Sequence, residues 1–186
     1  MRTLAITQNV TLDGSIEMLG NWFDAQGQGD VDQSDLLEQL HRESGESDAL
    51  LVGRRTFEGM RGYWPQQTDD TTGVTAHLNQ VAKYVVSSTM SDPGWQGSTV
   101  IDGDVLDQVR ALKEAPGRDV VVTGSIQLCH ALIEAGLVDQ YRLFTYPVVQ
   151  GRGRRLFPDG YEAPALRLLQ ATAFRSGITY ARYAPA

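Results

Sequence analysis

Short apolar runs alternate with amphipathic segments from the first residues of the chain to about residue 140. The apolar runs, several of them rich in β-branched residues, predict strands at 4–10, 48–52, 83–89, 98–101 and 120–123. Apolar residues at helical spacing predict helices that begin near Asp32 and after Gly53, and further helices over 74–81, 104–113 and 125–136. Strands that alternate with helices in this way predict parallel βαβ units.

The last third of the chain follows a different pattern. Three strands are predicted at 141–149, 166–174 and 178–183, and Arg175-Ser176-Gly177 is a hairpin signal between the last two. The expected fold is therefore α/β, with a mostly parallel central sheet and antiparallel C-terminal strands.

Local signals mark the ends of two helices and one loop. Asp32 is predicted as an N-cap, with Val31 and Leu36 spaced as a hydrophobic staple. Gly136 is predicted as the glycine that ends the helix before it. The Gly-rich polar stretch 19–30, which contains Trp22, is as typical of a loop over a site as of a linker.

Composition narrows the class of protein. With 186 residues a single domain over 1–186 is expected, and the net charge of −7 argues against a nucleic-acid surface. No apolar stretch is long enough to span a membrane, and the N-terminus lacks the apolar run of a signal peptide. Cys129 is the only cysteine, which fits a reducing cytoplasm, and the three histidines are scattered, so no metal site is expected.

The candidate chemistry begins at Gly53-Arg54-Arg55-Thr56, where a short apolar strand leads into a helix. The first N–H groups of a helix favour an anion, and arginine adds a planar fork that matches phosphate. This segment alone is equally consistent with a phosphate site and with an ordinary strand–helix turn that carries solvated arginines.

Two further strand ends carry groups that suit phosphate. One strand ends in Ser87-Ser88-Thr89, and another leads through Thr123-Gly124-Ser125 into a helix. Ligands bind α/β sheets beyond the carboxyl ends of the strands, so three such ends together indicate a dinucleotide site. Serine hydroxyls beside arginine favour NADPH over NADH, because only NADPH carries a 2′-phosphate. The G-x-G-x-x-G fingerprint and the Walker A motif follow none of these strands.

The order and spacing of several blocks are specific when taken together. They are Thr11-Leu12-Asp13-Gly14 with Trp22, Gly53-Arg54-Arg55-Thr56-Phe57-Glu58, the run 83–89, the run 121–125, Gly136-Leu137-Val138-Asp139 and the run 147–157. With these blocks the chain resembles the dihydrofolate reductase-like family, and within it the stand-alone proteins similar to the C-terminal reductase domain of the bacterial riboflavin deaminase–reductase. The resemblance implies a three-layer fold, NADPH as cofactor, and a homodimer formed through the C-terminal strands.

The resemblance also implies roles for particular residues. Gly53, Arg54, Arg55 and Thr56 would meet the 2′-phosphate and pyrophosphate, and Ser87, Ser88 and Thr89 the adenosine phosphate end. Gly124, Ser125, Ile126 and Gln127 would line the diphosphate path. The strand around Ala5 would flank the nicotinamide, and the loop at Asp13, together with Trp22, would close over it and exclude water.

The chain departs from the family pattern on the substrate side. Riboflavin-pathway reductases usually carry a glutamate and paired glycines where this chain has Thr123, Gly124 and Ser125. Asp24, Asp30, Asp32 and Asp35 lie near the position of the carboxylate that binds the pterin in dihydrofolate reductases, and none aligns with it. The proton donor stays open between Asp13, an acid near residue 30, and bound water.

The sequence therefore predicts an NADPH-dependent oxidoreductase that reduces a small nitrogen heterocycle resembling a pteridine or a pyrimidine. One alternative is 5-amino-6-(5-phosphoribosylamino)uracil reductase of riboflavin biosynthesis. The other alternative is an NADP-binding module without turnover.

Overall fold

The computed structural model describes residues 1–25, 31–163 and 165–186. Within these residues the strands are β1 (Leu4–Thr11), β2 (Ser47–Gly53), β3 (Ala82–Val86), β4 (Ser98–Ile101), β5 (Asp119–Val122), β6 (Gln140–Tyr146), β7 (Leu166–Ala173) and β8 (Thr179–Pro185). The helices are α1 (Trp22–Ala25), α2 (Ser34–Glu46), α3 (Arg54–Tyr63), α4 (Val74–Gln80), α5 (Val105–Glu114) and α6 (Ile126–Glu134), with a short 3-10 helix at Trp64–Gln66.

The described strands form one sheet in the order β4-β3-β2-β5-β1-β6-β8-β7. Neighbours from β4 to β6 are parallel, and β8 runs antiparallel to both β6 and β7. The predicted architecture, a mostly parallel sheet with an antiparallel C-terminal end, is confirmed. The strand expected at 141–149 is shorter, and it runs parallel to β1 on one side and antiparallel to β8 on the other.

Helices cover the sheet on both faces and give three layers. Leu112 of α5 and Leu132 of α6 pack with Leu4, Ile6 and other apolar residues on one face. On the other face Phe57 of α3 and Leu78 of α4 pack against β2 and β3, and Leu36 of α2 packs against β6 and β8. None of the helices in the described part of the chain has the length and apolar character needed to span a bilayer.

Helix α6 begins and ends where the sequence predicts. Its N-cap is Ser125, and Gly136 follows it with a φ of +63°. The N–H of Gly136 bonds to Ile133 O and that of Leu137 to Leu132 O, both at 3.0 Å. This pair of bonds is the Schellman motif, which requires a left-handed residue at the position of Gly136.

The start of α2 differs from the prediction. The N-cap is Gln33 rather than Asp32, and Val31 is exposed, so the staple with Leu36 does not form. Asp32 instead accepts the N–H of Ser34 at 2.9 Å and forms an ion pair with Arg175. The hairpin turn between β7 and β8 thus engages the predicted cap residue, a partner far away in the sequence.

The unequal lengths of the strands create a gap at one edge of the sheet. β5 ends at Val122, which pairs with Ile6, whereas β1 continues to Thr11. β3 ends at Val86 rather than at residue 89. Past the carboxyl ends of β2, β4 and β5 the chain turns into α3, α5 and α6, so the first turns of these helices surround the gap.

Candidate active site

A cleft of about 1160 Å³ opens at this gap, beyond the carboxyl ends of the parallel strands. The lining residues are Gln8, Asn9, Ile16, Glu17, Met18, 53–56, Met60, Val86, 103–106, 123–128, Ala131 and Arg154. α/β sheets bind ligands in such a crevice, where the strand order changes direction.

Hydroxyl groups join two turns at the base of the cleft. The N–H of Gly53 donates to Ser125 Oγ at 2.8 Å, while the N–H and the hydroxyl of Ser125 donate to Thr56 Oγ1 at 3.0 and 2.8 Å. These bonds hold the end of β2 beside the end of β5. The first turns of α3 and α6 therefore open into the same cleft.

The turn before α6 has an unusual backbone. Gly124 has a φ of +57°, and a Cβ there would lie 2.9 Å from Thr56 Cγ2. Ser125 has a φ of 55°, a left-handed conformation that costs a residue with a side chain roughly 1–2 kcal/mol. Cys129 is the first residue whose N–H bonds within the helix, to Ser125 O at 3.0 Å. The N–H groups of residues 126–128 have no intrahelical partner and favour an anion.

The two arginines of α3 differ in their partners. Arg54 Nη1 lies 3.1 Å from Glu58 Oε1, one helical turn further on. Arg55 is exposed and pairs with no carboxylate among the described residues. Both line the cleft, so Arg55 is the more available charge for an anionic ligand.

The predicted hydroxyl cluster at the end of β3 lies outside the lining of the cleft. Ser87 Oγ accepts the N–H groups of Thr89 at 3.2 Å and Met90 at 3.0 Å, so it stabilises its own turn. Ser88 and Thr89 are exposed. Val86, the last residue of the strand, is the one that lines the cleft. A contact between these hydroxyls and the adenosine end stays a prediction.

Ala5 is not among the described residues that line the cleft, and its expected contact with the nicotinamide stays a prediction. Ala5 is fully buried, and it pairs with Val121 on one side and Gln140 on the other. β1 faces the gap only beyond the end of β5, and Gln8 and Asn9 are the residues that line the cleft there.

Asp13 is not among the described residues that line the cleft; its carboxylate joins two loops instead. Its Oδ1 accepts the Thr11 hydroxyl at 2.6 Å and the Gln150 N–H at 3.1 Å, and its Oδ2 accepts the Gly151 N–H at 2.7 Å. These bonds, with that from Thr11 the strongest, lower the pKa of Asp13 to about 2. Asp13 is therefore ionised at neutral pH, which argues against it as the proton donor.

Trp22 packs into the protein instead of lining the cleft. Its ring meets that of Tyr146 edge-on, with centroids 5.2 Å apart, and it belongs to the buried cluster that includes Leu36. Its expected role in closing over the nicotinamide stays a prediction.

The aspartates considered as a substrate-binding carboxylate either bind Arg175 or lie outside the described residues. Asp32 pairs with Arg175, whose N–H also donates to Asp35 at 3.0 Å. Asp30 and the side chain of Asp24 lie outside the described residues.

Sequence reasoning missed one side of the cleft. Ile16, Glu17 and Met18 follow the predicted Asp13 loop and line the cleft opposite α6. Glu17 Oε1 accepts from Arg154 Nη2 and Nε at 2.5 and 3.0 Å, and its Oε2 accepts the Arg154 N–H at 3.1 Å. Arg154 also lowers the pKa of Glu17. These partners are 137 positions apart in the sequence, so no local pattern could have paired them.

Comparison with known proteins identifies the family. Residues 2–180 match the model of the RibD C-terminal domain, so the chain belongs to this reductase-like family. YyaP of Bacillus subtilis is 31% identical over 185 residues, which cover 98% of this chain and 94% of YyaP.

Solved structures share the fold at low sequence identity. A putative riboflavin biosynthesis protein from Shewanella sp. PV-4 has a TM-score of 0.73 and 17% identity, with 99% of each chain covered. Dihydrofolate reductase from Enterococcus faecalis, complexed with NADP(H), has a TM-score of 0.62 and 16% identity, covering 98% of this chain and 95% of that enzyme. The expected dihydrofolate reductase-like fold is confirmed.

Proposed function

We propose that this protein binds NADPH and reduces a small nitrogen heterocycle. The observation that carries the proposal is the joining of two helix-starting turns by Gly53, Thr56 and Ser125 in one cleft. Arg55 lies beside them and has no carboxylate partner within the described part of the chain. A dinucleotide phosphate needs two anion sites held at a fixed separation, and this arrangement supplies them.

Each part of the cleft suits one part of the cofactor. Arg54 and Arg55 would bind the 2′-phosphate, and the free N–H groups at the start of α6 would bind the diphosphate. Gly124 allows the turn before α6 to pack closely against Thr56, since a Cβ there would lie 2.9 Å from Thr56 Cγ2. The bound cofactor would supply a hydride, and the protein would contribute binding, orientation and exclusion of water.

The uracil reductase of riboflavin biosynthesis is the alternative substrate assignment. It draws support from the family and from the name of the Shewanella protein. Thr123 argues against it, because the riboflavin enzymes usually carry a glutamate at that position. An NADP-binding module without turnover is the third possibility, and only a measurement of NADPH oxidation separates it from a reductase.

The first test is a thermal-shift titration with NADPH and NADH side by side. A ligand that binds only the folded state stabilises it by about 2.7 kcal/mol at a hundred times its dissociation constant. We expect a clear rise in Tm with NADPH and a smaller one with NADH. Equal responses would contradict the 2′-phosphate assignment, and no response would contradict the cofactor itself.

The second test separates the possible functions. Oxidation of NADPH is followed by absorbance across pteridines, pyrimidines and the ribosylaminouracil intermediate. Turnover of a pteridine or a simple pyrimidine supports the main proposal, and turnover of the ribosylaminouracil alone supports the riboflavin alternative. Binding of NADPH without oxidation by any substrate favours the binding module.

We also propose that the protein acts in the cytoplasm as a homodimer. The single thiol, Cys129, is buried and suits a reducing compartment. The dimer draws support from an apolar face of β7 and β8, formed by Ala171, Ala173 and Ala181.

A further inference from the structure

Gln8 has the most deeply buried polar side chain among the described residues that line the cleft, with 4% of its surface exposed. Its Nε2 donates to Gly124 O at 3.0 Å and to Cys129 Sγ at 3.4 Å. A backbone carbonyl can only accept, so the amide nitrogen must lie on this side and Oε1 must point the other way.

The Oε1 atom of Gln8 is an acceptor without a protein donor. Within residues 1–25, 31–163 and 165–186, no group donates a hydrogen bond to it. Gln8 Oε1 is not one of the described side-chain atoms that are fully buried without a partner, so this acceptor is reachable from the cleft that Gln8 lines. The cleft beside Gln8 is the place from which a ligand could supply that donor.

The position of Gln8 indicates which part of a ligand it meets. Gln8 holds the carbonyl of Gly124, immediately before the free N–H groups that start α6. If the anionic group of a ligand bound at those N–H groups, the part of the ligand attached to that group would lie beside Gln8. In a dinucleotide the group that follows the diphosphate is a ribose, whose hydroxyls are hydrogen-bond donors.

We propose that Gln8 Oε1 accepts a hydrogen bond from the nicotinamide ribose and so distinguishes a complete dinucleotide from a fragment that lacks this sugar. The inference rests on the proposed function. It makes Gln8 a specificity residue, which acts on the nicotinamide half while the arginines of α3 act on the adenosine half.

The test compares two ligands by calorimetry. Adenosine 2′,5′-bisphosphate carries the adenosine half of NADPH and lacks the nicotinamide ribose. The variant Gln8→Met keeps the size of the side chain and loses the acceptor. We expect it to raise the Kd of NADPH about three- to tenfold, the size of one hydrogen bond, and to leave the Kd of the bisphosphate within about twofold.

A control separates the acceptor from the support of the turn. Cys129→Ala removes the other donor to Gly124 O, which Cys129 Sγ contacts at 3.3 Å. It also removes the longer contact of Gln8 Nε2 with Sγ, but it keeps the bond from Gln8 Nε2 to Gly124 O and the acceptor Oε1. We expect Cys129→Ala to keep the wild-type ratio of the two Kd values. If it reproduces the change seen with Gln8→Met, or if Gln8→Met weakens both ligands equally or neither, the proposal is wrong.

Two further outcomes are distinguishable. If the wild-type protein binds the bisphosphate with the same Kd as NADPH, the role of Gln8 is overturned and the 2′-phosphate site stays intact. A wild-type protein that binds neither ligand would overturn the proposed function, and this inference with it. If Gln8→Met does not fold, Gln8→Asn, whose amide is one methylene shorter, takes its place in the same comparison.

Discussion

Arg54 and Arg55 are neighbours in the sequence with different electrostatic surroundings. Arg54 lies one turn before Glu58 and pairs with it, so a bound phosphate would share this guanidinium with a carboxylate. Arg55 pairs with no carboxylate in the described part of the chain. Since an ion pair at such an exposed position contributes little stability, either arginine can be replaced without unfolding the protein.

The expected result is that Arg54→Ala and Arg55→Ala each weaken NADPH more than NADH, with the larger loss for Arg55→Ala. A charge-assisted bond is stronger than a neutral one, so a loss of about tenfold in NADPH affinity is expected for Arg55→Ala. Calorimetry with both cofactors measures it. Arg42→Ala is the matched control, because Arg42 pairs with Glu38 one turn away on α2. Equal losses for NADPH and NADH would remove the 2′-phosphate assignment.

At the scale of elements, the side of the cleft opposite α6 is held by a link between two loops. The carboxylate of Asp13 accepts the N–H groups of Gln150 and Gly151. Gln150 Nε2 in turn donates to Ser15 Oγ at 2.9 Å and to Glu17 O at 3.0 Å. The loop after β1 and the loop after β6 therefore form one unit, which positions residues 16–18.

Asp13→Asn should lower the stability of the fold at neutral pH. The folded pKa, about 2, lies below the ordinary value of 3.8. The carboxylate thus contributes stability above about pH 3.8, and this contribution is lost as the pH falls towards 2. Urea unfolding near pH 7 and near pH 3 should show a difference between wild type and variant that shrinks at the lower pH. Loss of turnover with an unchanged unfolding midpoint would instead support Asp13 as proton donor.

At the scale of the molecule, one face of the antiparallel strands has no helix against it among the described residues. Ala171, Ala173, Thr179 and Ala181 are exposed or half-buried there. Leu143, which pairs with Ala181, also lines an apolar groove of about 390 Å³ beside this face.

The groove carries one charge of each sign. Arg155 and Asp159 both line it, both are exposed, and neither forms an ion pair within the described residues. In a two-fold dimer every contact between two different residues occurs twice, once in each direction. A patch with one cation and one anion can therefore be complementary to itself. We therefore expect a second copy of the chain to cover this face.

Charge reversal tests the dimer by its mass in solution. Arg155→Asp and Asp159→Arg should each weaken association, because each places like charges opposite one another in both halves of the interface. An equimolar mixture of the two variants restores opposite charges at both contacts and should recover the dimer. A monomeric wild type, or a mixture no better than the separate variants, would show that this face is not the interface.

The strands, the helices and several of their ends were determined by the sequence itself. Helix α6 is the clearest case. It begins after Ser125 and ends before Gly136, and the backbone conformations of these two residues depend on their neighbours in the sequence. Gly53, Arg54, Arg55 and Thr56 were placed at a helix start because a local apolar run and a glycine suffice to predict that turn. The parallel sheet followed from the alternation of these elements.

Only the tertiary structure decided which of these turns meet and which polar groups stay available. Arg175 engages Asp32, and Arg154 pairs with Glu17. On α2 the fold buries Glu43, which accepts the hydroxyl of Tyr180, although no apolar pattern marks it. Ala5 is covered and Gln8 lines the cleft because β5 ends opposite Ile6. These outcomes depend on strand lengths and on partners over a hundred residues away, which hydrophobic periodicity does not record.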